Sequence, residues 1–269
     1  MNKITFVTVV YNNYTDTIDF LNSIEKFAKK EEGIRCIVID NSDEIKIRDR
    51  IAKLSSIYSF VTTLAAPKNL GYFGGFNYFF DNFKIDSSEI ILLCNNDLVF
   101  SDDFIDAFKS REYPRDVFVV CPDVITLDGV HQNPHVLNPR TSLQRLKLDF
   151  YFSHYSIAYT LRLLQRLASL FYKKNKHRFF DPCYLHMGIG ACYILLPSFL
   201  SKCKNLEYPH FLYGEEAYLT KQVHSAGGKL YYDPVLKVHH KESATLSKLP
   251  KRINYEFGRE GYWNYRTYF

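Results

Sequence analysis

Ile90-Ile91-Leu92-Leu93-Cys94-Asn95-Asn96-Asp97 is a continuous apolar run that stops abruptly in two amides and a carboxylate. Such a run predicts a buried strand that carries its polar groups out at its carboxyl end. Ligands of open α/β sheets sit at the carboxyl ends of the strands, so Asp97 is expected to face a cleft.

The chain before this stretch repeats the design. Ile4–Val10 is rich in β-branched residues and runs into Tyr11-Asn12-Asn13, a strand followed by turn formers. Thr15 or Asp16 can then cap a helix whose apolar face is Ile18, Leu21, Ile24 and Ala28. A second strand over 37–39 ends in Asp40-Asn41-Ser42, and a helix over 47–56 and a strand over 61–65 follow. Next come Asn69-Leu70-Gly71 and Gly74-Gly75-Phe76-Asn77, before a helix toward Phe83. Strands alternating with helices imply parallel βαβ units, hence an α/β fold with a mostly parallel central sheet flanked by helices.

Beyond Asp97 the alternation is less regular. Ser101 can cap a helix through Phe108, a strand starts at 117–120, and Asp128-Gly129 suits a turn. Residues 139–178 carry nine Lys or Arg against one acid, Asp149, and 160–172 has the period of an amphipathic helix. That basic insertion suits a membrane surface or an acceptor, and equally a helix packed on the domain with a solvated face. Gly188 to Pro197 gives a small-residue turn and a strand, and a helix opening at Glu215-Glu216 runs through Val223. Two final strands, 229–233 and 235–240, end in His239-His240.

Composition narrows the function classes. With 269 residues and 46% hydrophobic content the chain can bury a core, and its net charge of +5 is well short of a dedicated nucleic-acid binder. The six cysteines show no C-x-x-C pair, which argues for reduced thiols and a cytoplasmic setting. No apolar stretch approaches the roughly 20 residues of a membrane span, so a soluble or peripheral protein is expected. The glycines at 71, 74 and 75 would allow close backbone approach to a ligand. They do not spell G-x-G-x-x-G and there is no P-loop, which disfavours an NAD-type oxidoreductase.

Four polar groupings end apolar segments: Tyr11-Asn12, Asp40-Asn41-Ser42, Asn95-Asn96-Asp97 and His239-His240. One such ending is ordinary turn chemistry, but several on neighbouring strands suggest a site. Asp97 and a histidine could ligate a divalent cation, and oxygen with imidazole suits Mn²⁺ and tolerates Mg²⁺. Glu215-Glu216 at a helix start either complements the helix dipole or supplies a general base.

In this order the motifs resemble an inverting glycosyltransferase of family 2 with a GT-A fold, in its rhamnosyltransferase-like branch. The resemblance runs from Ile4 to about Thr245 and includes His240 with Ser243 and Thr245. It implies one domain over 1–245, with a nucleotide-sugar half (1–127), an acceptor half (128–245) and an aromatic, basic C-terminal segment (246–269). Thr8, Val10, Tyr11, Asp40, Asn69, Gly71, Asn95 and Asn96 would bind the nucleotide, with Asp97 and His240 on an Mn²⁺ or Mg²⁺ ion. Glu216, or Glu215, would be the catalytic base, and Gly190, Ala191 and Tyr213 would meet the acceptor. The implied donor is a dTDP- or UDP-linked sugar, rhamnose being one candidate, and the implied acceptor a saccharide or lipid-linked saccharide at the cytosolic membrane face. A catalytically silent binding or scaffolding subunit is the alternative. Two departures stand out. Asn95 replaces the first Asp of the metal motif, and Glu216 replaces an expected Asp, moving the carboxylate outward by about 1.5 Å.

Overall fold

The structure is a computed structural model that describes residues 3–169, 181–242 and 251–268. β1 (Ile4–Val10) leads through α1 (Tyr14–Lys30) to β2 (Ile34–Asp40). α2 (Ile45–Ala52), α3 (Leu54–Ile57), β3 (Val61–Ala65), α4 (Tyr72–Asn82) and β4 (Ile90–Asn95) complete a parallel half ordered β3-β2-β1-β4. Period-2 alternation shows why this half is covered on both faces. Phe6 and Val10 of β1 pack in one core with Phe20, Leu21 and Ile24 of α1. Val7 points the other way, into a core with Phe73, Phe76 and Phe79 of α4.

The second half is mixed. β5 (Leu98–Phe100), α5 (Phe104–Lys109) and β6 (Val117–Thr126) precede a helical hairpin of α6 (Ser142–Ser153) and α7 (Tyr155–Ser169). β7 (Cys183–Leu185), β8 (Cys192–Leu195), α8 (Pro197–Leu200), α9 (Glu215–Ser225), β9 (Lys229–His240) and α10 (Lys251–Tyr265) follow. β8 lies antiparallel between β4 and β6, and the order continues through β9 to β5, with β7 also on β9. Only Asn96 and Asp97 separate β4, inside the sheet, from β5, at the end of the strand order, so the sheet must curl back on itself. The curl positions the site, because β5 pairs with β9 in a register that sets Leu98 opposite His240.

Several local expectations change. Asn13, rather than Thr15 or Asp16, caps α1, accepting from the Asp16 amide through its side chain. Asp103 stands at the N-cap of α5 without a side-chain bond, and Ser101 contributes only its carbonyl, to the Phe104 amide. The 47–56 helix breaks at Lys53 into α2 and α3. The basic insertion holds two helices where one was expected, and α6 starts with a capping box of Thr141 and Gln144. α7 begins at Tyr155, ahead of the expected 160, and residues 170–178 lie outside the described residues. The two final strands are one, β9, with a register shift where it passes Pro122 and Asp123 of β6.

The glycines also have a different role. A Cβ on Gly75 would stand 2.6 Å from a Val9 methyl and one on Gly74 3.2 Å from Leu70 Cβ, so protein, not ligand, is what approaches them. Gly75 lets α4 lie close on β1. Gly71, at φ +75, passes so near the Phe211 carbonyl that a Cβ would meet its oxygen at 2.1 Å.

Candidate active site

The polar ends of β1, β2 and β4 meet at one rim of the sheet, as the register of these neighbouring strands requires. Asp40 is buried, its Oδ1 accepting from the Ser42 amide at 2.9 Å. Asn41 donates to the Gly71 carbonyl at 2.9 Å, and Asn69 Oδ1 accepts from the Gly71 amide at 3.0 Å, which ties the β2 end to the loop before α4. Tyr11 is half-buried, and its hydroxyl donates to Asp43 at 2.8 Å, a bond that raises its proton affinity. Asn69 lies beside that hydroxyl. Thr8 and Val10 are fully buried within β1.

The Asn95-Asn96-Asp97 turn divides its work. Asn96 donates to the Asn13 carbonyl and to Thr17 Oγ1 at 3.1 and 2.9 Å, locking the turn to α1. Asn95 and Asp97 face β9 instead. Asp97 Oδ1 lies 3.2 Å from His240 Nε2, and Asn95 Nδ2 lies 3.4 Å from the same nitrogen. His239 alternates to the exposed face, so one histidine of the pair reaches the site.

A residue that sequence reading missed sets the chemistry of His240. Gln132 donates through Nε2 to Glu242 Oε1 at 2.8 Å, which turns its amide oxygen to His240 Nδ1, also at 2.8 Å. Nδ1 therefore donates to Gln132, and this bond fixes the ring with Nε2 turned to Asp97. A carboxylate and an imidazole nitrogen side by side are a donor set that fits a divalent cation. Among the described residues no cluster of three or more His, Cys, Asp or Glu side chains forms a fully protein-made cage. Ser243 and Thr245 of the last motif lie outside the described residues.

Across the turn that precedes β8 sits the acidic pair. Tyr213 and Gly214 both take left-handed backbone, at φ 69 and 95, and aim the start of α9 inward. Glu215 is buried, and this burial together with the Glu216 charge raises its carboxyl to about 8 from an ordinary 4.5. Glu216 is half-buried and lines a cavity of about 360 Å³, whereas Glu215 does not. Burial thus favours the protonated form of the inner Glu215, while Glu216 is the acid open to a ligand.

Gly190 and Ala191 join the two regions. The Gly190 amide donates to Glu216 Oε1 at 3.3 Å, and the Ala191 carbonyl accepts from the Asn95 amide at 2.9 Å. Tyr72, also missed in the sequence, donates from its hydroxyl to the Gly190 carbonyl at 2.9 Å. Tyr213 lines the same cavity as Glu216, with His135, Arg140, Phe152, Arg162 and Tyr265 among its other walls. Arg140, Phe152 and Arg162 fall in the basic 139–178 insertion and Tyr265 in the C-terminal segment, but none of these walls was singled out as a site residue in the sequence. They converge from separate elements.

Comparison with known proteins agrees with this architecture. GalNAc-T7, crystallised with UDP, GalNAc and Mn²⁺, superposes with a TM-score of 0.62 at 13% identity, covering 98% of this chain and 50% of that one. S. aureus TarS residues 1–349 give 0.54 at 11% identity over 89% of this chain and 60% of that one. The longer S. aureus TarS structure gives 0.52 at 11% identity over 90% and 37%. The chain therefore spans about half the length of the similar structures, and it shares with these glycosyltransferases the GT-A fold. No curated protein matches it in sequence. The model of "Glycosyl transferase family 2" matches residues 5–174. The chain belongs to glycosyl transferase family 2.

Proposed function

We propose that the protein transfers a sugar from a nucleoside diphosphate donor to a hydroxyl of a saccharide acceptor with inversion at the anomeric carbon. The observation that carries this reading is the Gly190-Ala191 turn, which bonds Glu216 on one side and Asn95 of the Asp97 turn on the other. A base and a diphosphate-side carboxylate are thereby held at opposite ends of one short connection, as an in-line displacement needs. GalNAc-T7, the similar protein crystallised with UDP and Mn²⁺, supports a pyrimidine diphosphate and a divalent ion.

In this mechanism Tyr11, Asp40 and Asn69 receive the nucleoside at the strand ends. Asp97 and His240 Nε2 would hold an Mn²⁺ or Mg²⁺ ion, with Gln132 fixing the histidine. When bound, the ion supplies positive charge that stabilises the diphosphate leaving group. Glu216 accepts the proton of the acceptor hydroxyl as its oxygen forms the new bond to the anomeric carbon. The bond from that carbon to the diphosphate oxygen breaks on the opposite face, and the nucleoside diphosphate leaves with the electron pair. Glu215, protonated, keeps a second negative charge away from the attacking oxygen. UDP- and dTDP-sugars, rhamnose included, are the donors to screen.

The acceptor side also suits work at a membrane surface. Leu143, Leu146 and Phe150 of α6 and Tyr159, Leu163 and Leu167 of α7 are 49–63% exposed, on helices that also carry Arg145, Lys147 and Arg166. Among the described residues no helix is long and apolar enough to cross a membrane, so contact would be peripheral. Sedimentation with anionic vesicles that is unchanged in a Leu163→Asp, Leu167→Asp variant would contradict this contact.

The transfer itself is tested with Glu216→Gln over a panel of donors and saccharide acceptors. Product formation is expected to fall by roughly 10²- to 10⁴-fold with nucleotide binding retained. Unaltered transfer contradicts Glu216 as the base.

A further inference from the structure

The cavity at Glu216 carries more positive charge than a neutral sugar requires. Arg140 reaches it from the loop before α6, and Arg162 reaches it from α7. Among the described residues Glu216 is the single acid in its wall. The hairpin's acid, Asp149, is engaged elsewhere: it accepts from Arg266 Nε at 2.9 Å and from the Tyr262 hydroxyl at 2.6 Å. Arg162 is held by its own neighbour: its Nε donates to the Tyr151 hydroxyl, and its guanidinium lies 5.5 Å from the centre of that ring. Among the described residues its terminal nitrogens have no carboxylate partner.

The rest of the wall is largely aromatic, and Tyr255 and Tyr265 lie near enough to Arg162 and Arg140 to feel their charges. Phe152 stacks on Tyr262 with ring centres 4.6 Å apart and planes 19° apart, and Tyr255 and Tyr265 extend the surface into the cavity. Flat rings offer a sugar its apolar face, while guanidinium groups recognise anions through fixed forks of N–H donors. Two arginines arriving from different elements suit a tetrahedral dianion better than a planar carboxylate, which a single fork can satisfy.

We propose that the acceptor is a sugar phosphate, its ring against the aromatic wall, its hydroxyl at Glu216 and its phosphate on Arg140 and Arg162. This rests on the acceptor side of the transferase reading and adds to it the charge class of the acceptor. The same chemistry fits a soluble glycosyl phosphate and a lipid-linked one.

The test titrates UDP-saturated protein with inorganic phosphate and with hexyl phosphate, followed by ³¹P line broadening, so that the donor site is occupied and no sugar need be guessed. Saturable binding is expected in wild type and in Lys202→Gln, an exposed lysine that is not part of the described cavity wall. It should weaken by about tenfold in Arg140→Gln and in Arg162→Gln, the loss of one charge-assisted contact each. Arg162 is exposed, so its variant leaves the core untouched. Tighter binding of hexyl phosphate than of phosphate supports a lipid-linked acceptor, and equal binding a soluble one. Absence of saturable binding, or wild-type affinity in both arginine variants, overturns the proposal. UDP and dTDP affinities measured on the same protein report separately on the donor site: binding of neither nucleotide defeats the transferase reading, while the arginine comparison still decides the phosphate site.

Discussion

The Gly190 amide donates to Glu216 Oε1 at 3.3 Å, and a methyl group on Gly190 would stand 2.8 Å from that same oxygen. The glycine is thus what lets the longer Glu216 side chain occupy the space where family resemblance leads one to expect Asp. A carboxylate reaching farther by one bond is received by a backbone without a side chain. Gly190→Ala should therefore push Glu216 off its position while leaving the nucleotide end alone. The expected outcome is a loss of transfer of roughly 10²-fold, the scale of a 1 Å misplacement, with unchanged UDP affinity by calorimetry. Transfer at the wild-type rate in Gly190→Ala would show that the amide contact is not needed for catalysis.

Glu215 makes a prediction about pH. Its folded value of about 8 lies above its ordinary 4.5, so the folded chain holds a proton that the unfolded chain has released at intermediate pH. Folding stability from this group is fully present below pH 4.5, declines as pH rises toward 8, and is flat beyond. Glu215→Gln removes the titration. Its melting temperature relative to wild type should climb between those limits, read by thermal unfolding in a series of buffers. A difference that stays constant with pH would argue against a protonated Glu215.

Gln132 links Glu242 to His240 and fixes which imidazole nitrogen faces Asp97. Gln132→Leu keeps the bulk and removes the acceptor for the Nδ1 proton. Affinity for Mn²⁺ in the presence of UDP, followed by electron paramagnetic resonance, should weaken about 10- to 100-fold, the usual consequence of losing an outer partner of a ligating histidine. Metal-free nucleotide affinity should be unaffected, and ¹⁵N spectra should show a mixture of His240 tautomers. An unchanged tautomer and unchanged Mn²⁺ affinity would remove Gln132 from the site.

What the sequence made legible is local. β3 falls on the predicted 61–65, and the polar ends of β1, β2 and β4 meet because a buried strand states its own boundary by where its apolar run stops. Asp97 and His240 stood at such boundaries and are brought together by the β5–β9 register. Contacts made across the fold left no trace in spacing: Gln132 and His240 are 108 positions apart, Tyr72 and Gly190 118. Gly74 and Gly75 were legible as close-approach positions but not as to what approaches, since a ligand and a neighbouring strand make the same demand on a missing Cβ. Asn96 shows the converse, a polar residue inside a motif whose side chain is used to anchor α1.

The measurement that bears most directly on the account is calorimetric titration of wild type and Asp97→Ala with UDP and dTDP, each with and without Mn²⁺. The predicted result is binding of one pyrimidine diphosphate that is strengthened by the metal in wild type and loses that dependence in the variant. Failure of both nucleotides to bind wild type under either condition, or metal-strengthened binding that survives Asp97→Ala, would contradict a donor site built on Asp97 and His240.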